Sequence, residues 1–281
     1  MPVTPSAFTI SGFGDEIASD PVEQLETLVL LGIHHLDLRA AWECNVLDLD
    51  AEAVLKLQTL LDQYGVKVAM IASPIGKSTL SEPPSFEAGR LETAIRLAEA
   101  FGTRLIRLFS FYHEGIPHAD CRDAVIARVA GWARTAEAAG VTLLLENEGG
   151  LWADRPERCL DLLSSVNSPA LRLTLDAGNF ASLGVASRDE AYPLLRQWVR
   201  HLQIKDVVTA TRAVVPAGQG DGQLSQLLAA ARQDGYQGYL SLEPHLAVAG
   251  KAGGFSGPAL FGEAARALRS ILGDLETENQ A

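Results

Sequence analysis

Eight times along the chain, a short apolar or β-branched run passes through turn residues into a longer stretch with helical periodicity. Strands that alternate with helices in this way lie parallel, because each helix must carry the chain back to the starting edge before the next strand begins. A parallel sheet is covered on both faces, so its strands read as nearly unbroken apolar runs, as Val141-Thr142-Leu143-Leu144-Leu145 does.

The repeat predicts an α/β chain folded as a single (β/α)₈ TIM barrel over residues 1–273, with a polar tail over 274–281. Its punctuation agrees. Asp20 and Pro21 make an N-cap and first helical position, Pro156 opens the fifth helix, and Gly65, Gly102 and Gly140 stand where helices two to four should stop. Further helices are expected over Asp189–Trp198, Gln223–Gln233 and Pro258–Leu272. An open doubly wound sheet would want GxGxxG after the first strand, and Ser11-Gly12-Phe13-Gly14-Asp15-Glu16 does not supply it.

Composition narrows the function. The formal charge of −12 repels polyphosphate and leaves no basic stripe to follow a nucleic-acid backbone, so no nucleic-acid partner is expected. Nothing approaches the ~20 apolar residues of a membrane span, and the N-terminus has no secretory pattern, so a cytoplasmic protein without a membrane partner is expected. Cys44, Cys121 and Cys159 are far apart with no metal-binding spacing and read as reduced packing residues. The partner indicated is a small molecule in a pocket; self-association into a homo-oligomer is left open.

Three of the predicted strands end on a carboxylate: Glu146, Asp176 and Glu243 close strands five, six and eight. These lie at the carboxyl end of the barrel, where catalytic groups gather. Burying a carboxylate there is costly unless something positive compensates it, and one bound cation would compensate all three. Any one alone would more simply cap a helix or pair with Arg or Lys; three in register favour a metal. Strand seven offers His201, Gln203, Lys205 and Asp206 as a fourth ligand, and spacing leaves the choice open.

Leu145-Glu146-Asn147, Leu175-Asp176-Ala177-Gly178-Asn179, Gln203-Ile204-Lys205-Asp206 and Leu242-Glu243-Pro244-His245 occur in the order of the motifs of the xylose isomerase-like superfamily, which the chain resembles over nearly its whole length. In many members the third motif is His-x-Lys-Asp and its histidine binds metal; Gln203 takes that place here, as in hydroxypyruvate isomerases. His201 shares its strand face but lies deeper. The resemblance therefore implies a metal held by Glu146, Asp176, Gln203 and Glu243, with Glu146 and Glu243 also acting as the acid–base pair. An all-oxygen ligand set suits Mn²⁺ or Mg²⁺ before Zn²⁺ or Co²⁺. Two departures bear on the substrate: Glu148 stands where relatives carry histidine, and Asn179 where epimerases place a substrate-contacting histidine.

The function implied is a metal-dependent isomerase or epimerase of a small ketose, sugar phosphate or sugar acid, moving a proton through a metal-bound enediolate. Glu16, Arg39, Asn179, Lys205 and His245 are the expected substrate contacts; Asp15, Ser73 and Lys77 lie nearby, with surface salt bridges the alternative for Arg39 and Lys77. The Gly218-Gln219-Gly220-Asp221-Gly222 turn follows strand seven, where barrels often bind phosphate, although Asp221 argues against an anion. Two rivals are a lyase that follows the same proton abstraction with loss of water, as in inosose dehydratases, and a sugar-binding barrel without catalysis. The endonuclease branch needs extra histidines and basic loops that this chain lacks.

Overall fold

A computed structural model describes residues 8–250 and 253–278. Eight parallel strands close into a barrel: β1 (Thr9–Phe13), β2 (His35–Leu38), β3 (Lys67–Ile71), β4 (Leu105–Leu108), β5 (Thr142–Glu146), β6 (Leu171–Asp176), β7 (Val199–Ile204) and β8 (Tyr239–Leu242). Each pairs with its neighbours in sequence, and β1 pairs with β8 through Thr9↔Tyr239 and with β2 through Gly12↔Leu36. The predicted TIM barrel is the fold observed.

The outer ring contains α1 (Pro21–Leu30), α2 (Ala51–Tyr64), α3 (Pro84–Ala100), α4 (His118–Ala139), α5 (Pro156–Val166), α6 (Ala177–Ser182), α7 (Tyr192–Leu195), α8 (Leu224–Gln233) and α9 (Gly257–Glu278). Local chemistry sets their ends. Asp20 and Asp50 accept from Val22 N and Ala53 N, satisfying amides that a first turn leaves unpaired, and α2 and α4 stop at left-handed Gly65 and Gly140. Gly12 is required by close approach: a Cβ there would lie 2.7 Å from the Phe261 ring, where α9 packs on β1.

Pleat alternation sorts the side chains. Leu143, Leu145, Leu173, Leu175, Leu202, Ile204, Leu240 and Leu242 face outward into the core beneath the helices. The inward positions are divided. Phe13, Met70, Ala72 and Leu144 make a small apolar cluster, whereas Ser11, Asp37, Thr174, His201 and Ser241 form a fully buried polar layer across the other side. Asp37 Oδ2 accepts from Ser11 at 2.6 Å and Ser241 at 2.5 Å, and Thr174 Oγ1 bonds His201 Nδ1 at 2.8 Å.

The structure differs from the sequence reading in three places. Helix α9 runs past Gly273 to Glu278, with Leu275 buried, so residues 274–278 belong to the barrel's last helix rather than to a tail; 279–281 lie outside the described residues. The helix expected over Asp189–Trp198 is a π-helical turn, Ser187–Ala191, followed by the single turn of α7; β7 already begins at Val199. Helix α6, unforeseen, starts immediately after Asp176 because that carboxylate caps it, accepting from Asn179 N at 2.8 Å.

Candidate active site

Glu146 and Asp176 are the last residues of β5 and β6, Gln203 is the penultimate residue of β7, and Glu243 directly follows β8. All four point inward at one level and are at most 3% exposed. One oxygen from each of Glu146, Asp176 and Glu243 lies within 4.8 Å of the others, the spread of ligands around one ion. Gln203 Nε2 donates to Glu146 Oε2 at 3.0 Å, which leaves Gln203 Oε1 buried without a hydrogen-bond partner. An orphaned buried carbonyl costs about 1–3 kcal/mol, and a cation would satisfy it. His201 sits one pleat deeper against Thr174 and Asp37, at 3.5 Å from the latter, so it is part of the floor.

Three basic side chains also reach these acids. Arg39 distributes its guanidinium over Asp15 (2.6 Å), Glu16 (3.1 Å) and Glu243 (2.5 Å). Lys205 Nζ is 2.6 Å from Asp176 and 3.9 Å from Glu243. Arg107 on β4 donates to Glu146 at 3.0 Å and lies 3.9 Å from Glu243, its other nitrogens held by Ala72 O and Ser73 O. Capping and ion pairing, the simpler roles for strand-end acids, are therefore both realised. They do not balance the cluster: five carboxylates, on Asp15, Glu16, Glu146, Asp176 and Glu243, meet three permanent cations, on Arg39, Arg107 and Lys205, with the imidazole of His245 beside Glu16 and Glu243. An excess of carboxylates over cations, with the buried amide oxygen of Gln203 left unpartnered, fits a divalent cation and hard oxygen donors.

Burial sets the proton affinities. Desolvation raises the pKa of Glu146 despite Arg107, with Glu243 adding to the rise, and desolvation also raises Asp176 against the pull of Lys205. Burial would raise Glu243 as well, but His245, Lys205 and Arg39 hold it well below the ordinary carboxylate range. The environment thus separates two carboxylates that face one cavity.

That cavity, about 490 Å³, is lined by Arg39, Arg107, Glu146, Lys205, Glu243 and His245 in its depth and by loop residues around its mouth. Among the expected substrate contacts, Arg39, Lys205 and His245 line it. Glu16 and Asn179 do not. Glu16 is fully buried behind Arg39, taken up by the His245 amide (3.2 Å) and Ser256 (2.9 Å), and Asn179 Nδ2 binds Glu146 (3.3 Å) and Asn147 O (3.0 Å). Both position other site residues. Arg107 was overlooked in the sequence, although an arginine at an inward position of the apolar run Leu105-Ile106-Arg107-Leu108 was itself the signal. Lys77 pairs with Glu148 at 2.7 Å, bridging the loops after β3 and β5.

The glycine-rich turn after β7 is an anion cradle, but its anion is internal. Gly218 N, Gly220 N and Gly222 N all donate to the Asp206 carboxylate, at 2.8, 3.0 and 2.9 Å. A Cβ on Gly220 would lie 2.5 Å from Asp206 Oδ1, so glycine is needed for this approach.

Comparison with known proteins finds the same barrel fold. A family model described as "Xylose isomerase-like TIM barrel" matches residues 28–271. The 2-epi-5-epi-valiolone 7-phosphate 2-epimerase of Actinoplanes sp. is 27% identical over 178 residues; the match covers 63% of this chain and 64% of that curated relative's length. The probable 3-DHS dehydratase of petrobactin synthesis from Bacillus anthracis superposes with a TM-score of 0.76 at 18% identity, covering 93% of this chain and 99% of that one. A barrel protein from Mycobacterium smegmatis, solved in complex with magnesium, has a TM-score of 0.73 at 18% identity over 97% and 99% of the two chains.

Proposed function

The chain belongs to the xylose isomerase-like TIM barrel family, and on that premise we propose that it is a divalent-metal-dependent isomerase or epimerase of a small polyhydroxy ketone. The observation that carries this reading is that Glu146 and Glu243 face one cavity with the Arg107 guanidinium between them, 3.0 and 3.9 Å away. Two carboxylates on either side of a substrate carbon can exchange its proton from one face to the other.

Glu146, Asp176, Gln203 and Glu243 would hold the cation, with Mn²⁺ or Mg²⁺ suited to their oxygens. When bound, the ion withdraws electron density from the substrate's carbonyl and hydroxyl oxygens and so acidifies the neighbouring C–H. The residues of the chain do the rest. One glutamate takes the proton from the carbon beside the carbonyl, and the electron pair of the broken C–H bond moves toward the carbonyl oxygen. The other glutamate, protonated, delivers its proton to the opposite face or to the adjacent carbon. Arg107 and Lys205 stabilise negative charge developing on the substrate, and Asn179 fixes the rotamer of Glu146.

The test is solvent exchange: incubation with ketohexoses in D₂O and Mn²⁺ should place deuterium on the carbon next to the carbonyl, and absence of exchange with every bound sugar favours a binding protein. Dehydration is the second reading, supported by His245 and Lys205, 3.5 and 3.9 Å from Glu243, which could protonate a departing hydroxyl. Loss of water in the product would identify it.

A further inference from the structure

The mouth of the cavity is formed in part by a two-residue hairpin turn that should not be comfortable. After β2, Ala40–Ala41 pairs with Cys44–Asn45, and the turn residues Trp42 and Glu43 both have left-handed backbones, with φ of 52° and 61°. Such a turn suits Asn-Gly; side chains with a Cβ are strained there. The surroundings enforce it. Trp42 N donates to Ser19 O at 2.7 Å, Val46 N to Arg39 O at 2.8 Å, and the Lys56 ammonium stands 4.7 Å above the Trp42 ring, which packs on the core. Strain held this firmly at the rim of a site points to function. What the turn achieves is to set Glu43, exposed, on the cavity wall that exposed Asp48 also lines.

Among the described residues of the mouth, acids outnumber bases. At the mouth Glu43, Asp48 and Glu148 face Lys77, which Glu148 pairs at 2.7 Å and which sits over the Phe109 ring at 4.4 Å. Deeper, Arg39 and Arg107 are engaged by Asp15, Glu16, Glu146 and Glu243. The one ready-made anion cradle on this face, at Gly218, Gly220 and Gly222, is filled by Asp206. A phosphomonoester or carboxylate entering the cavity would meet repulsion from Glu43 and Asp48 and find Arg39, Lys77, Arg107 and Lys205 already paired with carboxylates.

We propose that the Trp42–Glu43 turn makes the site selective for an uncharged polyhydroxy ketone, with Glu43 and Asp48 excluding the phosphorylated and acidic forms of the same sugar. The carboxylates of the rim accept hydrogen bonds from hydroxyls of a neutral substrate and repel an anion, so one pair of residues supplies both attraction and rejection. The inference rests on the sugar-processing reading above, but its test is separable from it.

Binding of the D-2-ketohexoses and of their 6-phosphates to the Mn²⁺-loaded full-length protein is measured by calorimetry, in the wild type and in Glu43→Gln and Asp48→Asn. The expected result is that the best neutral sugar binds about tenfold or more tightly than its 6-phosphate, and that this ratio shrinks several-fold in both variants and in 0.5 M salt, where rim charges are screened. Equal or tighter binding of the phosphate, a ratio indifferent to the variants and to salt, or binding of neither panel overturns the proposal. If the neutral sugars bind selectively but no deuterium enters them, the selectivity stands and the isomerase reading falls.

Discussion

Gln203 donates its amide to Glu146 at 3.0 Å while its own carbonyl oxygen is buried with no hydrogen-bond partner. A bound cation would satisfy that oxygen. Gln203→Leu should therefore weaken Mn²⁺ binding by about 10–100-fold, the range seen when groups that support a metal are lost. The metal-free variant should be as stable as the wild type, since the orphaned oxygen goes too. Mn²⁺ titration followed by electron paramagnetic resonance, with urea denaturation in EDTA, checks both halves; unchanged affinity rules Gln203 out as a ligand.

Arg107 is the main counter-charge of Glu146. Arg107→Met leaves that carboxylate buried and unpaired and should destabilise the metal-free protein by roughly 3–5 kcal/mol. The double variant with Glu146→Gln should recover most of the loss, because the charge that needed Arg107 is gone. Urea midpoints of the four proteins in the cycle measure this; independent, additive losses would show that the pair is not coupled.

The two glutamates should be separable by isotope. Glu146→Gln and Glu243→Gln should each slow interconversion of substrate epimers or isomers by about 10²–10⁴-fold. A single remaining carboxylate can still remove and return a proton on its own face, so one variant should retain deuterium exchange into unreacted substrate while failing to form product. Nuclear magnetic resonance of the sugar in D₂O distinguishes this from uniform loss, which would argue against a two-carboxylate mechanism.

Stability should respond to pH in a sense set by burial. Glu16, Glu146 and Asp176 are raised above their ordinary values of 4.5, 4.5 and 3.8, so folding favours their protonated forms; Glu243 alone of the four is lowered. Groups with raised values stabilise the fold below their unfolded pKa and lose that contribution as pH rises through the folded one. The metal-free site should thus become less stabilising as pH climbs from about 4 toward neutrality. Mn²⁺ competes with the same protons, so the rise in Tm that it produces should grow over that interval. Thermal unfolding with EDTA and with Mn²⁺ between pH 4.5 and 7.5 tests this; a metal-induced shift that is flat or shrinks with pH contradicts it.

How much of this was legible in the chain depends on what each residue's neighbours in sequence reveal. The barrel and its strand-end acids were readable because apolar runs, glycine stops and the two-residue pleat are local signals, and pleat parity alone placed His201 below Gln203. Glu16 and Asn179 were expected as substrate contacts, but the folded positions of Ser256 and Glu146 show that they face those residues and not the cavity. Arg107 was missed because its partners come from other strands and from the loop after β3. The Asp206 cradle likewise joins a strand end to a turn twelve to sixteen residues later, a closure that composition could suggest only as a phosphate site. For α9, the spacing of Leu268, Ile271 and Leu275 carried the helix past Gly273, and the polar composition of the last residues concealed it.

The polar layer below the site has a bearing on folding. Thr174, His201, Ser241 and Asp37 each lie one pleat beneath Asp176, Gln203, Glu243 and Arg39, the last two directly following their strands. If one of these strands slipped by a single residue during assembly, its polar pair would turn into the helix-covered layer and leucines would take their places among Ser11 and Asp37. Such an error is penalised twice, once at the site and once at the floor, and no rotamer change can repair it. The most hydrophilic part of the barrel's interior thus acts as a ratchet on strand alignment, and its removal should allow misaligned barrels to accumulate before it abolishes the native one.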